Sequence, residues 1–380
     1  GIKKVKSTHK DNYKQLIRIN KYSDINGAKS AQTSLDKAIE KSTLAIQHHS
    51  MEIEGDEKNK LIDKSYMIIA KAEFYKHNYP SSIKTFNFLV RKSKSEDLKT
   101  EALIWATRCH QELNNKEALR KNIRLLEEEH SLTELQQSTL YQIQAESAIK
   151  EGYYLEAKEY LNRAIVNTKN KETKSRIHYV LGQINLALNK PQDALKNFNE
   201  VIKKNPEYEM VFNAKLMRTQ AYVDDRSMFF ELSKSLEKMT RDRKNIEYKD
   251  QIYFALAALQ LKKSDTLAAI NSLQLSTKNH FNNNNQKLAS HYLLAQLFWE
   301  RQGYIDAYNH CDTAHQLADR GSVDYEKIKK MLKSSKKIAS KYNLINYNDS
   351  IIALAQLPKE DRIKFIDTYI QTLKEEDLKS

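Results

Sequence analysis

The 380-residue chain is poor in the residues that punctuate most folds. Four prolines and seven glycines are too few to turn the many short strands of a sandwich or barrel. They are also too few for the Gly-rich phosphate loops of a nucleotide-binding α/β enzyme. Its two cysteines, Cys109 and Cys311, exclude a disulfide scaffold and a cysteine zinc cluster. No uninterrupted apolar run reaches the roughly 18 residues a membrane-spanning helix needs. The sequences GxSxG, HExxH, GxxxxGK[ST] and GxGxxG are all missing. What is present is 40% hydrophobic residues and 21 tyrosines, too apolar for a disordered chain. A long, nearly all-helical protein remains.

Charge is unbalanced, with 63 basic against 49 acidic residues and a net +14. Of the basic residues 49 are Lys and 14 are Arg, beside abundant Asn, as an AT-rich genome would produce. Nucleic-acid readers lean on Arg for bidentate contacts, so the excess points only weakly to acidic partners and more weakly to nucleic acid. Residue 1 is Gly, so the expectation is a processed chain or fragment from which a targeting segment has been removed.

Internal repetition organises the sequence. From His178 to Pro206 the chain carries Leu181-Gly182, Ala194, Phe198, Val201 and Pro206. This spacing resembles the tetratricopeptide repeat: small residues at its eighth and twentieth positions, an aromatic at the twenty-fourth, Pro at the thirty-second. Copies in phase give Ala145, Ala157, Leu161 and Ala164; Ala257, Ala269 and Leu273; and Ala295, Ala307, Cys311 and Ala314. Weaker copies give Ala70, Ser82 and Phe86, then Ala106 and Ala118. Successive twentieth positions lie 36, 39, 37, 75 and 38 residues apart, so a degenerate unit is expected near Val211 to Met239. Small residues at the eighth and twentieth positions let two antiparallel helices approach, and the twenty-fourth fills the gap toward the next unit. Asn78, Asn114, Gly152, Asn189, Asp265 and Gly303 are the expected turns between paired helices. Pro80 and Pro191 suit the first turn of a second helix.

The fold class expected is all-α: an α-solenoid of about seven tetratricopeptide-like helix pairs in a right-handed superhelix, with a C-terminal helical extension. The domains are residues 1–30, a Lys-rich capping or flexible segment with sparse apolar positions (Tyr13, Leu16, Ile17, Ile19); 31–320, the repeats; and 321–380, the extension. Residues Met51 to Asn59 read as an acidic loop. Tyr325 to Tyr342 reads as a Lys-rich helix with Ile328, Met331, Leu332 and Ile338 on one face. Tyr347 to Lys374 reads as two short helices split at Pro358.

Candidate chemistry is sparse. Cys311 and His315 share a helix face beside His310, but Cys311 sits at the inward twenty-fourth position, where free Cys acts as a small hydrophobe. Cys109-His110 and His48-His49 offer no constellation with a third partner. No catalytic, cofactor or metal residues are assigned, and the chain is read as a non-enzyme. The cluster around Lys329, Lys330, Lys333, Lys336 and Lys337 is either a basic partner-binding face or the solvated side of an amphipathic helix.

One stretch, from Lys37 to Lys92, resembles the start of the repeat region of the PorW/SprE family. The resemblance rests on His49-Ser50-Met51, Glu54-Gly55, Ile62-Asp63, Tyr66, Lys71-Ala72, Tyr75 and Phe86-Asn87-Phe88. A second match comprises Asn348-Asp349-Ser350-Ile351, Leu354, Arg362, Phe365, Tyr369-Ile370 and Leu373-Lys374. These are tetratricopeptide lipoproteins of the type IX secretion and gliding machinery. The resemblance implies a periplasmic scaffold, held to the outer membrane only by an N-terminal lipid anchor that this chain lacks. It implies protein partners, namely ring and translocon subunits of that apparatus, with no nucleic acid and no cofactor. Asp349-Ser350-Ile351 also resembles a periplasmic O-glycosylation acceptor, which makes Ser350 a candidate. The alternatives are a cytosolic tetratricopeptide regulator that binds a peptide and a helical-repeat RNA binder.

Overall fold

The structure is a computed structural model and describes residues 4–5, 9–13, 15–22, 25–54, 56–129 and 131–377. These fold into two compact units that divide between Val223 and Asp224.

In the N-terminal unit, helix α1 (Ile25–His49) leads through a small antiparallel hairpin, β1 (Glu52–Ile53) and β2 (Asp56–Glu57), in place of the expected acidic loop. The hairpin is fastened at its base by Glu57, which accepts from the Met51 and Asn59 amides at 3.0 and 2.7 Å. Helix pairs follow: α2 (Lys60–Tyr75) with α3 (Tyr79–Lys92), α4 (Glu96–Glu112) with α5 (Lys116–Glu128), α6 (Glu134–Glu151) with α7 (Tyr154–Val166), and α8 (Lys171–Ala187) with α9 (Pro191–Lys204). Helix α10 (Tyr208–Gln220) packs on α9 and ends this unit.

The C-terminal unit opens with α11 (Arg226–Arg241), a 3-10 turn (Arg243–Tyr248), and α12 (Lys249–Lys262) paired with α13 (Thr266–Lys278). Next come α14 (Asn284–Glu300) with α15 (Tyr304–Leu317), then α16 (Val323–Gln356) and α17 (Lys359–Asp377). The degenerate repeat is thus present as two helices, one ending the first unit and one starting the second.

The repeat positions explain the pairing. The eighth-position residues Ala70, Ala106, Ala145, Ala257 and Ala295 are fully buried, as are Ser82, Ala157, Ala194, Ala269 and Ala307 at the twentieth. Phe86, Leu161, Phe198, Leu273 and Cys311 fill the twenty-fourth. Ala118 departs from the expectation. It is only half-buried, and Leu119 beside it turns inward. At Gly182 the backbone approaches Phe198 so closely that a Cβ would lie 2.5 Å from the ring. First helices start on side-chain caps: Asn59, Ser95, Thr133 (a full capping box with Gln136), Asn170 and Asn283 each accept from an amide of the first turn. Pro80 and Pro191 lie in first turns of second helices, where no donor is lost.

The turns correct one detail. Asn114, Gly152 and Asn189 carry positive φ as expected, but elsewhere the left-handed residue is His77, Ser264 or Gln302. Asn78, Asp265 and Gly303, expected there, instead occupy the N-cap position, and Asp265 accepts from the Ala268 amide. A three-residue turn has one left-handed place and one cap place, and position in the turn decides which residue takes which.

A second correction concerns the extension. Helix α16 runs unbroken through Tyr342 to Gln356, because nothing between Ser322 and Pro358 caps or breaks it. Only Pro358 interrupts, before α17. The first half of α16 packs Ile328, Met331 and Leu332 on Ala295, Cys311 and Ala314. From Lys341 to Ala353 every side chain is exposed. Along α17, Ile363, Ile366, Ile370 and Leu373 are exposed at coiled-coil spacing.

Candidate functional site: an extended segment in the concave groove

Residues 9–13 and 15–22 lie across the first helices of the repeats. Their apolar side chains are the reason. Tyr13, Ile17, Ile19 and Tyr22 are buried, and Leu16 is partly buried against the same core. Tyr13 meets Tyr179 of α8 edge-on at 5.2 Å between ring centroids. Tyr22 meets Phe74 of α2 edge-on at 5.1 Å. The segment therefore runs from α8 back to α2, against the order of the repeats. Its path is irregular: the Gln15 amide donates to the Asn12 carbonyl at 3.0 Å and the Tyr22 amide to the Asn20 carbonyl at 3.1 Å, with open backbone between.

Polar side chains of the groove hold its main chain. Gln183 of α8 accepts from the Ile17 amide at 3.1 Å and donates to the Gln15 carbonyl at 2.6 Å. Glu146 of α6 accepts from the amides of Ile19 and Asn20 at 3.1 and 3.3 Å. Arg176 of α8 donates to the carbonyls of Ile19 and Arg18 at 3.1 and 2.6 Å. Its guanidinium also forms a forked ion pair with Asp11, at 2.6 and 2.9 Å, with each side chain 3% exposed. Burial would raise the Asp11 pKa, but hydrogen bonds from Arg176 and His9 outweigh it and hold the carboxyl well below the usual range.

Side-chain charge is complementary as well. Arg18 is paired with Glu112 at the end of α4, and Lys21 with Glu207 and Glu172. Arg108 lies over the rings of Trp105 and Tyr22 at 4.7 and 5.9 Å. Beside them is a cavity of about 220 Å³ lined by Tyr22, Trp105, Arg108, Thr139, Gln142 and Thr173 among others. Several buried polar atoms along the contact make no hydrogen bond to another protein atom: Tyr13 Oη, Asn20 Nδ2, Tyr22 Oη, Arg108 Nε and Tyr179 Oη.

Sequence reasoning singled out other residues. Lys329, Lys330, Lys333, Lys336 and Lys337 are all exposed on α16, and Lys329 is paired with Glu326. Ser350 is exposed on the same helix, its hydroxyl donating to the Asn346 carbonyl at 2.7 Å. Cys311 donates to the Ile328 carbonyl, while His315 lies against the Tyr325 ring, so the two do not converge. His310 instead meets His291 at 2.9 Å between Nδ1 atoms and stacks on Phe298. Cys109 donates to Ser82 Oγ, and burial pushes its thiol up to about 12 and that of Cys311 to about 11. His48 and His49 are exposed at the end of α1. Among the described residues no group of three or more His, Cys, Asp or Glu could hold a metal ion. No described helix is long and apolar enough to cross a membrane.

Arg176, Gln183 and Glu146 were not picked out from the sequence. The available signal was positional: Glu146 and Gln183 each directly follow the small eighth-position residue of their repeat, Ala145 and Gly182.

No protein-family model matches the chain, and no curated protein matches it. Solved structures do resemble it. A tetratricopeptide repeat protein from Parabacteroides merdae aligns at 12% identity and a TM-score of 0.45, over 72% of this chain and 98% of that one. The C-terminal part of a tetratricopeptide-containing protein from Cytophaga hutchinsonii aligns at 15% and 0.47, over 68% and 97%. PilF of Pseudomonas aeruginosa aligns at 16% and 0.41, over 70% and 96%. At these low scores nothing about partners or activity passes to this chain, and its repeat architecture stands on its own packing.

Proposed function

We propose that this protein is a non-catalytic scaffold that binds other proteins through its helical repeats. The observation that carries this reading is the grip on the N-terminal segment: Gln183, Glu146 and Arg176 bond main-chain groups of a non-helical stretch of polypeptide. The lysines of α16 and the exposed apolar face of α17 offer further contact surface.

The setting we propose is the periplasmic side of the type IX secretion and gliding apparatus, between ring and translocon subunits at the outer membrane. The resemblance around His49-Ser50-Met51 and Asn348-Asp349-Ser350 supports it. Deletion in a bacterium with that apparatus is expected to impair secretion, and crosslinking from a tagged chain to recover its subunits. Normal secretion after deletion would sink the assignment. In the same setting Ser350 is proposed as a glycan acceptor, which the intact mass of native protein would reveal.

The peptide grip also suits a second reading, a cytosolic peptide-binding regulator. A signal sequence with a lipidation Cys encoded upstream of residue 1 would exclude it.

A further inference from the structure

Three features of the groove, taken together, say more than that the chain binds proteins. First, residues 9–22 are held as a ligand is held. Gln183, Glu146 and Arg176 bond the segment's backbone and two tyrosines serve as end anchors. Recognition of that kind accepts any extended chain with anchors in register. Second, charge is complementary. The segment carries Lys10, Lys14, Arg18 and Lys21 against one acid, Asp11. The groove meets it with Glu112, Glu146, Glu172 and Glu207. Third, the fit is incomplete. Five buried polar atoms at the contact make no protein hydrogen bond, and the cavity beside Tyr22 and Arg108 is left over. Each such group calls for a partner. Ordering a long extended segment also costs entropy comparable with what its burial returns.

We propose that this concave face is a binding groove for a basic, extended segment of a partner protein, and that residues 9–22 are its resident competitor. The partner segment would place an aromatic residue on Tyr179, a hydrophobic–Arg–hydrophobic triplet across Gln183, Glu146 and Glu112, and a second aromatic on Phe74. Groups reaching into the cavity would engage Arg108 Nε and the Tyr22 site, which the resident segment does not satisfy. A tethered competitor acts at an effective concentration of order mM, so only a partner that binds better, or is itself tethered nearby, displaces it.

The inference rests on the protein-binding part of the proposed function and not on the secretion setting. Its test uses the full chain with a protease site inserted between Tyr22 and Ile25. After cleavage, a fluorescent peptide of residues 9–22 is added and anisotropy is followed. The expected result is saturable one-to-one binding to the cleaved chain, at least about 100-fold weaker for the uncut chain. A peptide with Arg18→Glu and Lys21→Glu should bind at least about tenfold more weakly. A peptide that keeps only Asp11, Tyr13, Ile17, Arg18, Ile19, Lys21 and Tyr22, with Ser and Ala elsewhere, should bind within about tenfold of the parent.

Three results overturn the proposal: loss of helicity on cleavage, which would make the segment an integral part of the fold; absence of exchange with a folded cleaved chain; or recovery of the cleaved or uncut protein as segment-exchanged dimers, which would make a second copy the occupant. None of these bears on crosslinks made through α16 and α17, so the wider scaffold reading is judged separately.

Discussion

Replacing Gly182 by Ala adds one methyl group against the ring of Phe198. Its Cβ would sit 2.5 Å from Cε1, 2.7 Å from Cζ and 2.9 Å from Cδ1. Carbon–carbon contacts favour about 3.5–4.0 Å, so the ring must retreat by about 1 Å. It has little room, being fully buried and held edge-on by Tyr179 at 5.5 Å. Two effects oppose. Ala gains about 1 kcal/mol over Gly within a helix. Overpacking costs about 1–3 kcal/mol, and a ring with no solvent side belongs at the upper end. The expected net effect is destabilisation by about 1–2 kcal/mol. Urea unfolding measures it best in a Trp299→Phe background, where Trp105 alone reports the N-terminal unit and separate unfolding of the two units does not blur the transition. Phe198→Leu, alone and combined with Gly182→Ala, completes a double-mutant cycle expected to return a coupling of about 1 kcal/mol or more. Unchanged or increased stability of Gly182→Ala would refute the close approach. Because Tyr179 also touches Tyr13, amide exchange at Ile17 should quicken in the same variant.

Other outcomes follow from the same geometry. Arg176→Met leaves the buried Asp11 carboxylate with only His9 as a partner, a loss of up to about 3–5 kcal/mol unless the segment is released first; faster exchange at Ile17 and Ile19 checks it. Asp11 has a folded pKa below its unfolded one, so its contribution is present above about pH 4 and falls away on acidification. With Arg176 gone, burial is opposed by His9 alone, so that slope should shrink or change sign in Arg176→Met. In the C-terminal unit, burial and then the neighbouring charge of His310 push His291 down to about 4, with Lys287 and His280 adding to the effect, and burial lowers His310 despite Asp306. Both are neutral at pH 7, so stability is held above about pH 6.5 and lost toward pH 4. Trp299 fluorescence should follow this loss, and His291→Gln should flatten it. Ser264→Gly and Gln302→Gly relieve left-handed backbone and should each stabilise by up to about 1 kcal/mol in thermal unfolding; a loss would contradict the positive φ.

The repeats were legible because their signal is local: Ala, Gly and aromatic residues recur at fixed spacing, and nearly all of them are buried where the spacing places them. Ala118 misled because Leu119 beside it is the better residue to bury. The left-handed turns were legible to within one residue, since Asn and Asp serve as caps as readily as they tolerate positive φ. The groove was half legible. Tyr13, Leu16, Ile17 and Ile19 stood out as apolar positions in a Lys-rich stretch, but nothing near them names their destination. Gln183 lies 166 residues beyond Ile17, and Glu146 lies 127 beyond Ile19. The His291–His310 pair was hidden for a related reason, since two ordinary histidines 19 apart meet only once paired helices are folded.

The reversed course of residues 9–22 also has a consequence in time. A stack of helix pairs can form as it is made, each pair settling on the one before. The segment cannot, since Arg176 is synthesised 165 residues after Asp11. At about 5–20 residues per second that is a wait of roughly 10–30 s during translation. Throughout it, Tyr13, Ile17, Ile19 and Tyr22 are exposed and the nascent groove is unfilled. Docking therefore cannot precede the making of α8, and it fastens together helices that otherwise touch only their neighbours. Before it docks, the repeats can open one at a time; afterwards α2 through α8 should open together.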